Sequence, residues 1–349
     1  MNILIIGGTG LISAPMTRQL LERDHSVTLF NRGKRSEAPT GARQVIGDRT
    51  EYARFEARMR EMPPFDCVID MICYAPEDAE SLVRAFGGRV GQLVVCSTVD
   101  VYEKPQRKLP ITEDTPRRPA PWDYALNKAK CEAILWTADE RGEFPLTIFR
   151  PGHTYDDGGT LHHSMGSRTT YLDRIRKGRP ILVHGDGGSI WTACHAVDVA
   201  RAFVEAAGNR RAFGKAYNVA GEEWLTWNRY HELVAEAIGA PAPALVHIPT
   251  DLLAKAAPDR AWIVAVNFQY NNAIDNTAAK TDLGFRCTVP FVEGARRIYR
   301  TLETHWRIED SDDDPEYDRI LGVWERVSAR MVEELLTANN ANGERMDAK

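Results

Sequence analysis

The sequence predicts an α/β fold in which helices cover both faces of a doubly wound parallel sheet, followed by a smaller α/β lobe. Three observations support this expectation. Short apolar, β-branched runs alternate with amphipathic helical patterns over the first two thirds of the chain. A glycine-rich turn directly follows the first apolar run. The length of 349 residues exceeds one compact domain of about 100–200 residues and leaves room for a second lobe.

The same alternation assigns the elements in order along the chain. Residues 14–23 are expected to form the first helix because Met16, Leu20 and Leu21 recur on one helical face. The strands of the sheet are expected at residues 2–7, 26–31, 43–47, 66–72, 92–98 and 146–151. Later elements are expected as strands at 180–183 and 216–219 and as helices at 198–207, 227–238, 292–303 and roughly 316–336. The remaining segments are a predicted long loop over 152–170, a solvated acidic linker over 309–315 and a disordered tail over 338–349.

The composition excludes several classes of protein. Hydrophobic residues make up 43% and charged residues 27% of the chain, which rules out a disordered or fibrous protein. The net charge of −5 argues against a broad basic face for nucleic acid. No apolar run approaches the about 18–20 residues that cross a bilayer. Six scattered cysteines without a Cys-x-x-Cys pair predict reduced, buried thiols, a cytoplasmic location and no zinc site.

The glycine-rich turn has the features of a phosphate-binding loop. It reads Gly7-Gly8-Thr9-Gly10-Leu11-Ile12-Ser13 and lies between the first strand and the first helix. Glycines permit a tight turn and a close approach of the backbone to a pyrophosphate, and the helix N-terminus supplies free N–H donors. This context predicts a dinucleotide-binding site, with an ordinary strand–helix turn as the alternative.

The end of the second strand predicts the kind of dinucleotide. An NAD site commonly places an acid here for the ribose 2′-hydroxyl, but this chain reads Asn31-Arg32-Gly33-Lys34-Arg35. The basic side chains of Arg32, Lys34 and Arg35 could neutralise a 2′-phosphate, so we expect NADP rather than NAD. Asp48, after the third strand, is expected either to accept from the adenine amino group or to cap the helix ahead of Tyr52.

A tyrosine and a lysine four residues apart carry the predicted chemistry. Tyr124 and Lys128 lie on one helical face at this spacing. A nearby cation favours the phenolate, so Lys128 is expected to lower the pKa of Tyr124 and to make it a proton donor and acceptor. Ser97 and Thr98 end the fifth strand, where ligands bind in such sheets, and either hydroxyl could bond the reacting oxygen.

Together these motifs resemble an extended or atypical short-chain dehydrogenase/reductase of the NAD(P)-dependent epimerase/dehydratase family. Further matching segments are Cys96-Ser97-Thr98 with Val101-Tyr102, Arg150-Pro151-Gly152, His195-Ala-Val-Asp198, Tyr217-Asn218-Val219-Ala220-Gly221 and Lys280 through Gly284-Phe285. Their order and spacing cover roughly residues 1–305. The resemblance implies a Rossmann cofactor domain and a smaller α/β substrate-binding C-terminal lobe.

The resemblance also implies a role for individual residues. Tyr124 would be the acid/base, Lys128 would lower its pKa and hold the nicotinamide ribose, and Thr98 would be the catalytic hydroxyl. The expected cofactor-binding residues are Gly7, Gly8, Thr9, Gly10, Leu11, Ile12, Asn31, Arg32, Lys34, Asp48, Arg49, Met71, Ile72, Lys128, Pro151, Gly152 and His153. The expected substrate-binding residues are Tyr74, Thr98, Asp100, His153 and Trp191. No metal is expected, since the adjacent His162 and His163 point apart, and a homodimer is expected by analogy with the family.

Departures from the family pattern bear on the substrate. Nucleotide-sugar epimerases of the family place an arginine where Trp191 stands, and no clear arginine occurs in residues 267–279. A tryptophan cannot neutralise phosphate, although it can stack on a sugar ring, so a UDP- or GDP-sugar is disfavoured. The alternative for Trp191 is core packing. Dehydratases of the family have an acid pair after the catalytic hydroxyl, whereas this chain has Asp100 alone, which disfavours dehydration.

Three functions therefore stay open. One is epimerisation of a sugar-like alcohol by transient oxidation, and the second is an NADPH-dependent carbonyl reductase of a non-nucleotide small molecule. The third, a non-catalytic regulatory or RNA-binding protein, is disfavoured by the intact Thr98, Tyr124 and Lys128 and by the net charge. The expected domains are a cofactor domain over 1–151 and about 176–221, a substrate lobe over 152–175 and 222–305, and an extension over 306–349.

Overall fold

A computed structural model describes residues 1–34 and 38–346 of the chain. Its strands are β1 Asn2–Ile6, β2 Ser26–Asn31, β3 Arg43–Ile46, β4 Cys67–Asp70, β5 Leu93–Cys96, β6 Leu146–Pro151, β7 His153–Tyr155, β8 Ile181–His184, β9 Ile190–Trp191, β10 Ala193–His195, β11 Lys215–Val219, β12 Leu225–Thr226 and β13 Leu245–Ile248. Its helices are α1 Ser13–Leu21, α2 Tyr52–Glu61, α3 Pro76–Phe86, α4 Asp123–Glu140, α5 Thr170–Arg176, α6 Ala196–Ala206, α7 Trp227–Ile238, α8 Thr250–Ala256, α9 Pro258–Ile263, α10 Thr277–Leu283, α11 Phe291–Thr304 and α12 Pro315–Met346. None of the described helices is long and apolar enough to cross a membrane.

Seven parallel strands form the central sheet in the order β11-β6-β5-β4-β1-β2-β3. The chain runs outward in one direction from β1 to β3 and then in the other direction from β4, so the order reverses beside β1. Ligands bind at such a reversal, beyond the carboxyl ends of the strands. The predicted doubly wound α/β fold and the positions of its six strands are confirmed, each strand beginning or ending within two residues of its expected bounds.

Alternating side chains of the buried strands build a core on each face of the sheet. Ile3 and Ile5 of β1 pack on the face that α1 and α6 cover. Leu4 and Ile6 pack on the opposite face, beneath α2, α3 and α4. The sheet is thus covered on both sides, which explains why its central strands read as continuous apolar runs.

A further apolar core belongs to the second lobe. It is built around Trp227 and Tyr230 of α7 and is closed by Phe291 of α11 and Tyr317 of α12. Strand β8 contributes to this core and pairs with β13, not with the seven-stranded sheet. Residues 181–184 therefore pack with the second lobe, whereas the expected cofactor domain included them.

Two segments of the second half differ from expectation. The predicted loop over 152–170 contains β7, which pairs with β10. The acidic segment over 309–315 is not a solvated linker: Lys177 pairs with Asp310 and Asp312, and Arg260 makes two 2.8 Å bonds to the buried Asp314. Lys177, which directly follows α5, and Arg260 of α9 neutralise these acids, so the segment lies against the lobe.

The final helix also differs from expectation. The structure continues α12 to Met346, past the residue 336 at which the helix was expected to end, and residues 347–349 lie outside the described part. No proline interrupts this stretch, and its side chains include several good helix formers. The expected disorder over 338–349 stays a prediction.

Candidate functional site

A cleft of about 1020 Å³ opens at the carboxyl ends of β1, β2, β4 and β5. It runs from the glycine-rich turn to aromatic side chains of the second lobe. Of the described residues that the sequence assigned to the site, all except Gly8 line this cleft. The fold thus brings together side chains that are up to 184 positions apart, from Gly7 to Trp191.

The glycine-rich turn needs its glycines for conformation and space. Gly7 and Gly8 have φ angles of +113° and +78°, which strain a residue with a side chain. A Cβ on Gly8 would lie 2.6 Å from the side chain of Leu29 on β2, so the turn packs closely on the sheet. Gly10 donates its N–H to Ser13 Oγ at 2.8 Å, which ties the turn to the start of α1. A backbone cradle before a helix N-terminus fits a pyrophosphate.

Charged residues surround the far end of this cradle. Arg32 and Lys34 are exposed, and both contribute to lowering the pKa of Asp48, although its hydrogen bonds from Thr50 lower it more. Asp48 Oδ1 accepts from the Thr50 backbone at 3.0 Å and from its hydroxyl at 2.8 Å. Asp48 therefore closes a turn before α2 and does not occupy the N-cap position. Arg35 lies outside the described residues.

Arg49 was expected to bind the cofactor, but its guanidinium is engaged within the protein. It is 4% exposed, donates to Asp70 Oδ2 at 2.7 Å and to the Asp78 carbonyl at 3.0 Å, and lies 3.4 Å from Asp78 Oδ1. A buried guanidinium of this kind compensates buried carboxylates. Arg49 lines the cleft as a structural residue that fixes its floor.

The two candidate hydroxyls at the end of β5 have different surroundings. Ser97 Oγ donates to Glu132 Oε1 at 2.5 Å, and Glu132 is itself bonded in two places to the buried Arg150. Thr98 Oγ1 lies in the cleft, where it accepts from the Asp100 backbone at 3.2 Å. Thr98 is therefore the one of these two hydroxyls that lies in the cleft beside Tyr124 with only local partners.

Tyr124 lies beside Thr98, on the first turn of α4. Burial raises the pKa of the Tyr124 phenol well above its usual value, while a hydrogen bond with the Thr98 side chain opposes this rise. Lys128 Nζ lies 5.8 Å from the Tyr124 ring and 4.6 Å from the Tyr74 ring, and it donates to the Cys96 carbonyl at 2.7 Å. The predicted lowering of the Tyr124 pKa by Lys128 is thus wrong for the protein alone.

A polar network that the sequence did not reveal extends from Thr98. Asp100 accepts from Thr98 Oγ1 at 3.2 Å, from Lys104 Nζ at 2.9 Å and from Asn267 Nδ2 at 3.1 Å. Asn267 accepts in turn from Lys104 and from Asn272. The i,i+4 spacing of Asp100 and Lys104 was the one sequence signal of this network, since Asn267 comes from a distant segment.

The substrate end of the cleft is aromatic and neutral. His153 lies 4.6 Å from the His162 ring and 5.5 Å from the Trp191 ring, and burial lowers its pKa well below the usual range. Trp191 packs against Trp227 and Phe268, at 5.2 and 4.8 Å between ring centroids. Trp191 therefore packs in the core, as the alternative interpretation expected, and it also lines the cleft, where its stacking on a sugar ring stays a prediction.

Potential metal ligands are used within the protein. Among the described residues, Cys194, Asp198 and Cys287 bring ligand atoms together. Asp198, however, already accepts from the backbone and hydroxyl of Thr288 and pairs with Arg201. This engagement marks the carboxylate as a structural group that joins α6 to the segment before α11.

Known proteins share these features. The model of the NAD dependent epimerase/dehydratase family matches residues 79–220. The 2′-dehydrokanamycin reductase of Streptomyces kanamyceticus is 29% identical over 264 residues, which are 75% of this chain and 74% of that protein. The chloroplast stem-loop binding protein of 41 kDa b of Arabidopsis thaliana is 29% identical over 260 residues, which are 70% of this chain and 65% of that protein.

The fold also has close structural neighbours. The crystal structure of UDP-glucose 4-epimerase from Thermotoga maritima, with UDP-glucose, superposes with a TM-score of 0.67 over 88% of this chain and 100% of that one, at 19% identity. The family match, the relatives, the parallel sheet and the glycine-rich turn agree with one another. The chain is thus similar to the NAD dependent epimerase/dehydratase family over residues 79–220, and its relatives and fold support an extended short-chain dehydrogenase/reductase type of protein.

Proposed function

We propose that the protein is an NAD(P)-dependent oxidoreductase that reduces a ketone to a secondary alcohol on a sugar-like substrate, with Tyr124 as the acid/base. One observation carries the proposal. The hydroxyl of Thr98, the phenol of Tyr124 and the ammonium of Lys128 line one cleft with the glycine-rich turn. A proton donor and a dinucleotide cradle in the same cleft are what hydride transfer to a carbonyl requires.

The cradle residues support a dinucleotide cofactor, which would supply the hydride. Gly7, Gly10 and the N-terminus of α1 would hold the pyrophosphate, and Asp48 lies where an adenine amino group could donate to it. The exposed Arg32 and Lys34 would neutralise a 2′-phosphate, so we propose NADP as the preferred cofactor. Fluorescence titration of both cofactors tests this: Arg32→Ala should weaken NADPH binding selectively, and tighter binding of NADH to the unmodified protein would refute it.

Tyr124 would supply the proton in the reduction. A tyrosine phenol is protonated near neutral pH, and burial, which raises the pKa of Tyr124 further, keeps it so, which is compatible with donation to a substrate carbonyl oxygen. The Thr98 hydroxyl would hold that oxygen in place. Lys128 lies 5.8 Å from the phenol ring and would stabilise the phenolate that forms when the proton leaves.

The relatives include both reductases and nucleotide-sugar enzymes. The 2′-dehydrokanamycin reductase, 29% identical over 75% of this chain, supports a reductase, whereas a dTDP-D-glucose 4,6-dehydratase of Homo sapiens is 23% identical over 88% of it. Asp100, which would have to act as an acid in dehydration, is engaged by Lys104 and Asn267. The intact Thr98, Tyr124 and Lys128 support an enzyme over a purely binding role.

The decisive experiment combines cofactor release with a turnover assay. The purified protein should release its nucleotide readily and consume NADPH with a panel of keto-sugars that includes 2′-dehydrokanamycin. Tyr124→Phe should reduce turnover by about 10²–10⁴-fold, because it removes the general acid. Tyr270→Phe is the matched control, since Tyr270 lies outside the cleft lining. Full turnover by Tyr124→Phe would refute the assigned role, and tightly held NAD⁺ with epimerisation of UDP-glucose would identify an epimerase instead.

A further inference from the structure

Four aromatic rings form a row along the wall of the cleft. The ring centroids of Tyr74 and Tyr124 are 6.4 Å apart, those of Tyr124 and Trp122 are 5.2 Å apart, and those of Trp122 and Trp262 are 5.5 Å apart. All four line the cleft. Beyond the Tyr124 phenol, on the side away from Lys128, the row therefore continues with the rings of Trp122 and Trp262.

These two tryptophans come from different lobes and meet across the cleft. Trp122 directly precedes α4 of the cofactor domain, and Trp262 lies on α9 of the second lobe. Trp262 is 43% exposed, although a ring of this size is usually well covered in a folded protein. Trp122 is half-buried, and the two rings meet edge-to-face at 67°, so they form an angled platform whose exposed part is Trp262 and on which the apolar face of a sugar ring can stack.

The inner part of the cleft contains buried polar atoms that have no partner within the described protein. They are Trp191 Nε1, Thr192 Oγ1 and Asn272 Oδ1. Their side chains line the cleft and are 5%, 1% and 3% exposed. An indole N–H donates, an amide oxygen accepts and a hydroxyl does both, so the hydroxyl groups of a sugar ring would satisfy all three.

The charges at this end do not suit a diphosphate. Among the described residues that line the cleft beyond Tyr124, Arg260 is the cation, and Asp314 and Glu316 already neutralise it. Burial lowers the pKa of both His153 and His162, so neither imidazole is charged near neutral pH. A diphosphate buried here would lack a counter-charge, which is costly.

We propose that the substrate is a glycoside of at least two rings that carries no phosphate. This rests on the proposed function. The reacting ring lies between Tyr124 and the polar atoms of Trp191, Thr192 and Asn272, and the second ring stacks on Trp122 and Trp262. The platform then selects for the number of rings. Among the described residues that line the cleft beyond Tyr124, none offers an unpaired cation, which selects against sugar nucleotides.

Binding of simple sugars to the NADP⁺-loaded full-length protein tests the proposal. The probes are methyl α-glucoside with one ring, maltose with two rings, and UDP-glucose, each measured by saturation-transfer NMR. We expect maltose to bind about five- to tenfold more tightly than the methyl glucoside, a gain typical of one stacked ring, and UDP-glucose to bind no more tightly than the methyl glucoside. Tightest binding by UDP-glucose, or no binding of either neutral sugar, would overturn the proposal.

Variants of the platform separate stacking from folding. Trp262→Ala should remove the preference for maltose, whereas Trp262→Phe should retain most of it. Trp224→Ala is the matched control, because Trp224 is 48% exposed and lies outside the cleft lining. A preference that survives Trp262→Ala would overturn the platform. If NADPH consumption succeeds while this preference is absent, the inference fails and the proposed function stands; if the preference is present without turnover of any ketone, the proposed function fails.

Discussion

His231 makes the second lobe sensitive to acid. Its side chain is fully buried on α7, and neither ring nitrogen has a hydrogen-bond partner within the described residues. The rings of Trp227 and Tyr230 lie 6.0 and 5.5 Å away. This apolar environment disfavours the charged imidazolium, so burial lowers the pKa of His231 from 6.5 to about 3.

The sign of the effect on stability follows from this shift. Between pH 6.5 and about 3, the unfolded chain binds a proton at His231 that the folded protein does not bind. The stabilising contribution is therefore complete above pH 6.5 and is lost as the pH falls. Each pH unit in this window costs about 1.4 kcal/mol, so acidification from pH 8 to pH 5 costs about 2 kcal/mol at this one residue.

Comparison with His231→Phe isolates this contribution from all other titrating groups. The phenyl ring keeps the aromatic packing and removes the proton-binding site. Urea unfolding at pH 8 and pH 5 should show that the unmodified protein loses about 2 kcal/mol more than the variant over this interval. If the free energy of unfolding falls by the same amount between pH 8 and pH 5 in the unmodified protein and in His231→Phe, the reasoning is refuted.

Three further substitutions test other parts of the structure. Glu132→Ala should lower the free energy of unfolding by about 3–5 kcal/mol, measured by urea titration, because it leaves the buried Arg150 without its carboxylate; a loss below about 1 kcal/mol would contradict this. Gly8→Ala should cost about 1–3 kcal/mol and weaken cofactor binding in a fluorescence titration, because of the positive φ and the contact with Leu29. Asp314→Asn should lower the melting temperature by several degrees, because it removes the carboxylate charge that pairs with Arg260 of α9. An unchanged melting temperature would contradict a stabilising role for this ion pair.

The features that were predicted correctly from the sequence are those set by residues close to one another along the chain. The strands of the sheet follow from short apolar runs, and the cradle follows from glycines placed between a strand and a helix. The i,i+4 spacing of Tyr124 and Lys128 also placed both side chains in the cleft. Local periodicity and turn chemistry are sufficient for such predictions.

The errors concern contacts between distant segments. The spacing of Tyr124 and Lys128 could not reveal that Lys128 Nζ bonds the Cys96 carbonyl and that burial dominates the phenol. The acidic run over 309–315 was interpreted as solvated because its partner Lys177 lies 133 residues away from Asp310. The Trp122–Trp262 platform likewise exists only after the two lobes have come together.

The hydrogen bond between β8 and Tyr317 has a consequence for how the chain is made. The backbone N–H of Leu182 donates to the Tyr317 hydroxyl at 2.8 Å, across 135 residues, and both side chains are fully buried. On the ribosome, the interior of the second lobe therefore cannot close until residue 317 has been synthesised. A nascent or truncated chain that stops before residue 317 exposes that apolar surface and an unpaired amide, and would be a substrate for chaperones and aggregation.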